Sequence, residues 1–224
     1  MKLMLDAGHG GKDSGAISQF GHEEDYTLLI SQYQYKRFKE LGVSVGLTRN
    51  SDVTLEENER VRLAQQGEFC ISNHLNAGGG DRAEVIHSIY DNGRLANMIK
   101  EQFLAIGQTS VKVYCRKGTN GDYYYMHRRT GKTITNIVEY CFIDNEADFT
   151  HFKNNLYVYA EVVVKAFCQY IGHPYVSPVI SKPIKPITDG IYRVVTGSFA
   201  TKENAEKRVK ELKEKGFTSF IEKK

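Results

Sequence analysis

The sequence predicts an α/β protein: an open, mostly parallel sheet with helices on both faces, followed by a small C-terminal β-α-β piece. Three observations carry this. Short apolar runs alternate with amphipathic stretches along residues 1–173, the order of a sheet covered by helices on both sides. All four prolines fall within residues 174–189, which no helix or central strand tolerates, so this stretch is an extended linker and a domain boundary. Beyond it, residues 190–224 run strand, helix, strand once.

The elements follow in order. Leu3-Met4-Leu5 is a short strand entering a glycine-rich turn, Gly8-His9-Gly10-Gly11. Tyr26, Leu29, Ile30 and Tyr33 fall at i, i+3, i+4 and i+7, the apolar stripe of a packed helix. Gly42 suits its C-terminal end. Val43 to Leu47 alternates as a strand. Leu55 to Gln66 is a charged amphipathic helix, and Glu68 to Ser72 another strand. Val85 to Tyr90 reads as a strand, Gly93 to Leu104 as a helix, and Ile134 to Glu139 as a strand. Tyr123-Tyr124-Tyr125 reads as a strand with alternating faces, and a final apolar helix is expected from about Phe152 to Tyr170. In the tail, Ile191 to Val195 is a strand. Thr201 is the expected N-cap of a helix with Ala205, Val209 and Leu212 on one face. Gly216 is expected to end it, and Phe217 to Ile221 is a second strand.

Composition is that of a globular protein, with 41% hydrophobic and 25% charged residues among 224. No apolar run approaches the roughly 20 residues that span a bilayer, so no membrane insertion is expected. Met1 to Asp6 meets an acidic residue before any signal-peptide core could form. The chain is therefore expected to be made in the cytoplasm without a secretion signal. Cys70, Cys115, Cys141 and Cys168 are far apart and lack the close-spaced pairs of zinc-cysteine sites. Three lie in apolar settings and read as small buried hydrophobes, and the compartment of synthesis is expected to be reducing. Residues 174–224 carry 11 Lys+Arg against 6 Asp+Glu, and residues 1–173 carry 19 against 21. A basic tail on a near-neutral body suits an anionic partner surface or a solvated helix equally.

Four residues stand out chemically. His9, Glu23, His74 and Glu139 lie at, or just after, the C-terminal ends of predicted strands or in the loops that follow, the edge where open α/β sheets bind ligands. Two histidines and a carboxylate make a catalytic zinc set with one position open, and a second carboxylate can serve as general base. Each residue alone has a plainer reading. A histidine in a glycine turn is ordinarily a turn residue, and Glu23 beside Glu24 and Asp25 also suits a helix N-terminus. Glu139, inside Ile137-Val138-Glu139-Tyr140-Cys141-Phe142, is costly to bury unless it is paired or has a task.

Five segments in order resemble the zinc N-acetylmuramoyl-L-alanine amidases of the amidase-3 type. Leu5-Asp6-Ala7-Gly8-His9-Gly10-Gly11-Lys12-Asp13-Ser14-Gly15 is similar to the family's opening D-x-G-H-G-G-x-D-x-G, and Glu23-Glu24-Asp25-Tyr26-Thr27-Leu28 to E-K-D-x-N-L. Thr48-Arg49-Asn50-Ser51-Asp52 resembles T-R-x-x-D, and Ser72-Asn73-His74-Leu75-Asn76-Ala77 resembles S-x-H-x-N-A. Residues 137–145 resemble the closing v-x-E-x-G-F-x-x-N, with Cys141 in the glycine's place, and Gln66 stands where asparagine is usual. The resemblance spans residues 1–173. It implies that His9, Glu23 and His74 bind Zn2+, that Glu139 is the catalytic carboxylate, and that peptidoglycan is the substrate. Glu24 is the fallback ligand if the register is off by one. Glu84 resembles a family glutamate, but Ala83 replaces the glycine before it, leaving it a substrate or supporting residue. His22, His87, His127, His151 and His173 match no ligand motif; His22, beside Glu23, is the one to watch.

The tail, from Tyr192-Arg193-Val194-Val195-Thr196-Gly197-Ser198-Phe199 to Gly216-Phe217, resembles half of a sporulation-related (SPOR) wall-binding repeat. The resemblance implies binding to glycan strands, with two chains pairing their halves into a homodimer as one expectation and a docked or frayed remnant as the other. Three alternatives stand beside the amidase. One is a zinc peptidase acting within the stem peptide, and another is a wall binder without catalysis. A nucleic-acid role lacks aromatic interleaving and a motif. An amidase made without a signal would reach the wall after release through a phage holin or by cell lysis, as an endolysin of a phage infecting Gram-positive cells or a mother-cell lytic enzyme.

Overall fold

Strand β1 (Leu3–Ala7) is buried at every residue because it lies inside the sheet, between β4 (Val45–Leu47) and β5 (Phe69–Asn76), parallel to both. The computed structural model describes residues 1–178, 199, 201–215 and 221. β5 pairs in parallel with β10 (Ile134–Phe142). β10 pairs antiparallel with β6 (Ala83–His87), which carries β7 (Val111–Tyr114) parallel at the edge. The six-stranded order is β4-β1-β5-β10-β6-β7. Four strands therefore run one way and two the other, which is the mostly parallel sheet expected.

Helices cover both faces. On one side α1 (Glu23–Glu40), α3 (Arg94–Ala105) and α6 (Leu156–Tyr170) bury Ile30, Phe38, Phe103, Val163 and Phe167 against Leu5, Ile71 and Val138. On the other, α2 (Glu57–Ala64) and α4 (Tyr125–Arg129) set Val61, Ala64 and Met126 against Met4, Cys70 and Ile137. Two short hairpins, β2/β3 (Ile17–Ser18, Gly21–His22) and β8/β9 (Lys117–Gly118, Gly121–Asp122), complete the connections. α1 ends as predicted at Gly42, whose φ is +78°. The Gly42 N–H donates to Lys39 O and the Val43 N–H to Phe38 O, the paired bonds of a glycine-terminated helix.

Several expectations shift. Tyr123-Tyr124-Tyr125 is not a strand: Tyr125 opens α4, and Arg128 turns back to donate to the carbonyls of Asp122 and Tyr123. The final helix is broken at Asn155 (φ −119°, ψ 17°), with α5 (Glu146–Asn154) before it, capped by Asn145. β7 falls in a stretch where no strand was expected; its residues are half-exposed and too mixed in polarity to show alternation. Cys70, Cys141 and Cys168 are buried and Cys115 is exposed, all free. In the tail, α7 (Lys202–Glu214) forms with the Thr201 side chain accepting from the Asn204 N–H. The strand expected at 191–195, the helix end at Gly216, the 217–221 strand but for Ile221, and linker residues 179–189 lie outside the described residues. Among the described residues no helix is long and apolar enough to cross a membrane.

Candidate metal centre and active site

The parallel strands and the start of α1 bring the sequence-flagged residues to one end of the sheet. His9 lies two residues past β1 with φ +60°, the one described non-glycine residue at positive φ. Such a conformation is held only when its surroundings over-determine it. Here they do. Arg49 donates to the carbonyls of Ala7, Gly8 and Glu24, tying the turn to the first turn of α1. Arg60 reaches the carbonyls of Ala7 and His9 while pairing with fully buried Asp6 at 2.7 Å. Asp6 also accepts from Thr48 and Ser72. Asp52 accepts the Gly11 N–H at 2.6 Å. The T-R-x-x-D segment thus acts as a frame for the glycine turn. Arg60 lies in no motif and was missed; the only sequence trace of its role is an arginine on the apolar side of α2.

His9, Glu23 and His74 meet. Glu23 Oε1 lies 3.2 Å from His9 Nε2 and 2.9 Å from His74 Nδ1, and the two imidazoles are edge-to-face with centroids 4.9 Å apart. One donor atom from each side chain lies within 4.8 Å of the others. Glu23 is fixed by the Ala16 and Leu75 N–H groups, and the far nitrogen of His9, Nδ1, is held by Asp13 at 2.9 Å. A carboxylate on the outer nitrogen of a ligand histidine is the usual way to set its ring and tautomer. Close approach is built in: a Cβ on Gly8 would lie 2.3 Å from the His74 ring. Glu24 and His22 stay outside the cluster, 3.9 Å from each other.

The charges here call for a cation. Burial opposes ionisation of both His9 and Glu23. Mutual hydrogen bonds and charge outweigh it, lifting His9 to about 9 and holding Glu23 well below the carboxylate range. The proton that His9 holds beside Glu23 occupies the electrostatic place a metal dication could take, and binding one would release it. Two imidazoles and one carboxylate converging fit the three-ligand protein set of a catalytic zinc.

Glu139 stands beside this cluster through strand register. β10 pairs Glu139 with His74 of β5 on one side and with Glu84 of β6 on the other. Burial, then the neighbouring carboxylates, push its pKa up to about 7, against the pull of His74. Its Oε2 is buried without a hydrogen-bond partner. Glu84 is also buried, accepting from Arg82, Asn76 and the Tyr114 hydroxyl. Of the remaining histidines, His173 contacts Leu41 O at 2.7 Å and buried His127 is depressed to about 4 by desolvation.

Residues 3–169 match the N-acetylmuramoyl-L-alanine amidase family Amidase_3. The chain belongs to that family. It is accordingly an N-acetylmuramoyl-L-alanine amidase, a cell-wall hydrolase. Residues 180–224 match the SPOR domain. The sporulation-specific N-acetylmuramoyl-L-alanine amidase of Bacillus subtilis is 25% identical over 232 residues, covering 99% of this chain and 84% of that protein. The endolysin of Bacillus phage SPP1 is 40% identical over 83 residues, 36% of this chain and 31% of its own. Among solved structures, the amidase AmiC2 of Nostoc punctiforme is similar at a TM-score of 0.67 and 25% identity, over 77% of this chain and 98% of that one.

Proposed function

We propose that this amidase cuts the bond between N-acetylmuramic acid and L-alanine with a zinc ion held by His9, Glu23 and His74, and with Glu139 as general base and then general acid. The observation that carries the proposal is the unpartnered, buried Oε2 of Glu139, one strand across from His74. His9, Glu23 and His74 would hold a zinc ion whose Lewis acidity would lower the pKa of water from 15.7 to about 7 and polarise a carbonyl oxygen. Glu139 accepts the proton of the attacking water. Its elevated pKa lets it keep that proton at neutral pH until the L-alanine nitrogen departs and takes it. Asp13 keeps the His9 ring oriented, and the Arg49 and Arg60 frame holds the turn that carries it.

The setting we propose is lysis of a Gram-positive wall by an endolysin released through a phage holin. The SPP1 endolysin match supports it, and the alignment with the sporulation-specific amidase, over 99% of this chain and 84% of that protein, supports mother-cell lysis as the second setting. In either, the SPOR-type tail grips glycan strands, and pairing of two tails into a homodimer is checked by sedimentation at high protein concentration.

The test is chemical. Purified Gram-positive walls are digested with zinc-loaded protein and new ends are labelled. New L-alanine amino termini without new reducing sugars, abolished by chelator and in Glu139→Ala, are the expected result. A different new N-terminal residue means a peptidase on the same scaffold, and no new ends means a wall binder.

A further inference from the structure

The pairing of β5, β10, β6 and β7 places His74, Glu139, Glu84 and Lys112 in one row across the sheet. At about 4.8 Å between strands, Lys112 is roughly 10 Å from Glu139. The row changes character as it leaves the site: a metal-ligand candidate, a half-buried and then a buried carboxylate, and last an exposed lysine. Lys112 Nζ lies 4.4 Å from the Tyr114 ring centroid. Arg82, one residue before β6, stands at the same end of the sheet. Its Nε and one terminal nitrogen both lie 2.6 Å from Glu84 Oε1, and its guanidinium sits 4.8 Å over the Phe142 ring. The Arg82 side chain is nevertheless 35% exposed.

Those contacts engage Nε and one terminal nitrogen and hold the guanidinium in place, while the side chain keeps a third of its surface in solvent. A pre-set guanidinium beside an acidic site is suited to a carboxylate, and holding it in advance lowers the entropy cost of each bond. Glu84, Glu139 and Glu23 would repel an anionic substrate, so a cation is needed wherever the substrate carries a negative charge. A peptide extended from the scissile amide advances about 3.3–3.6 Å per residue. Lys112, two strand spacings from Glu139, is therefore within reach of stem-peptide residue three, while Arg82, held on Glu84 one strand from Glu139, lies nearer, within reach of residue two.

We infer that Arg82, assisted by Lys112, recognises a free carboxylate on residue two or three of the stem peptide and sets the enzyme's preference for acidic over amidated stems. The inference rests on the amidase assignment. Glu84 is then a positioning residue for Arg82 as well as a neighbour of Glu139.

The test uses the full zinc-loaded chain and soluble N-acetylmuramoyl peptides. These differ only in a free or amidated carboxylate at residue two, or in diaminopimelate against lysine at residue three. Wild type is expected to favour a free-acid substrate in kcat/KM, and Arg82→Ala to lose roughly 10- to 100-fold on it, mainly in KM, while changing little on its amidated partner. Arg82→Lys should restore part of the preference. Lys112→Ala, at an exposed position whose loss does not threaten folding, should cut it several-fold. The pair of substrates that responds identifies the residue read. Equal loss on acidic and amidated substrates, or unchanged preference in both alanine variants, overturns the inference. Absence of new L-alanine amino termini from every substrate instead defeats the amidase assignment itself.

Discussion

Replacing Glu139 by glutamine should inactivate the enzyme and stabilise its metal-free form, with the gain appearing only as pH rises. The carboxyl has a pKa of about 7 in the fold against an ordinary 4.5. At 1.36 kcal/mol per pKa unit, ionising it in place costs about 3 kcal/mol more than ionising it in the unfolded chain. Because the folded value is the higher one, its contribution to stability is complete below 4.5 and lost as pH climbs through 7. Glutamine has the shape of the protonated acid and does not titrate. The variant should therefore exceed the wild type by less than about 1 kcal/mol at pH 5 and by about 3 kcal/mol at pH 8. Urea unfolding of both proteins in chelator measures this as a double difference, in which titration of groups that do not sense Glu139 cancels. Parallel stability curves from pH 5 to 8 would show that Glu139 ionises freely, and its role as proton carrier would lose its physical basis.

Three further outcomes follow from the frame around the site. Asp13→Ala removes the partner of His9 Nδ1 and should weaken zinc binding by roughly 10- to 100-fold, read by competition with a chromophoric chelator; unchanged affinity refutes the orienting role. Asp6→Ala strands Arg60 without its partner, and the loss of a buried ion-pair member should cost about 3–5 kcal/mol in urea unfolding, a cost under 1 kcal/mol showing that water reaches Arg60. Gly8→Ala puts a methyl 2.3 Å from the His74 ring, so zinc content by elemental analysis should fall sharply while far-UV circular dichroism holds; full zinc occupancy would mean the ring has slack.

The sheet was legible because its strands are short apolar runs between helices with clear stripes, and its inner strands outran prediction for a physical reason. β5 continues from Ser72 to Asn76 and β10 from Glu139 to Phe142. The β5 extension carries His74 and Asn76, and the β10 prediction stopped at Glu139, polar residues that a hydrophobic pattern scores as the end of a strand. The same residues form the site, so the pattern failed where the function begins. β7 and α4 were obscured differently: one is an edge strand exposed on most of its length, and the other is a single helical turn closed by Arg128.

The metal candidates and the motif supports Asp6, Asp13, Arg49 and Asp52 stood in quoted segments, but what the supports hold was not readable, because a support is recognised by its partner. Arg60 is one of several arginines in a charged helix until Asp6 is found beneath it, and Glu84 has no evident task until register sets it against Glu139. Parallel pairing of β5 with β10 puts His74 and Glu139 on neighbouring strands at one level, and the reversed β6 brings Glu84 to that level from the opposite direction. A one-residue slip in either pairing would turn those side chains to the α1 face and bury unpaired charge among Val138 and Tyr140. The register that forms the core is thus the register that assembles the site. Glu23 is the exception, entering from a helix, and it is the member most heavily tied down, by two backbone N–H groups and two imidazoles. A side chain that strand register does not place has to be placed by hydrogen bonds, and Glu23 has four partners doing so.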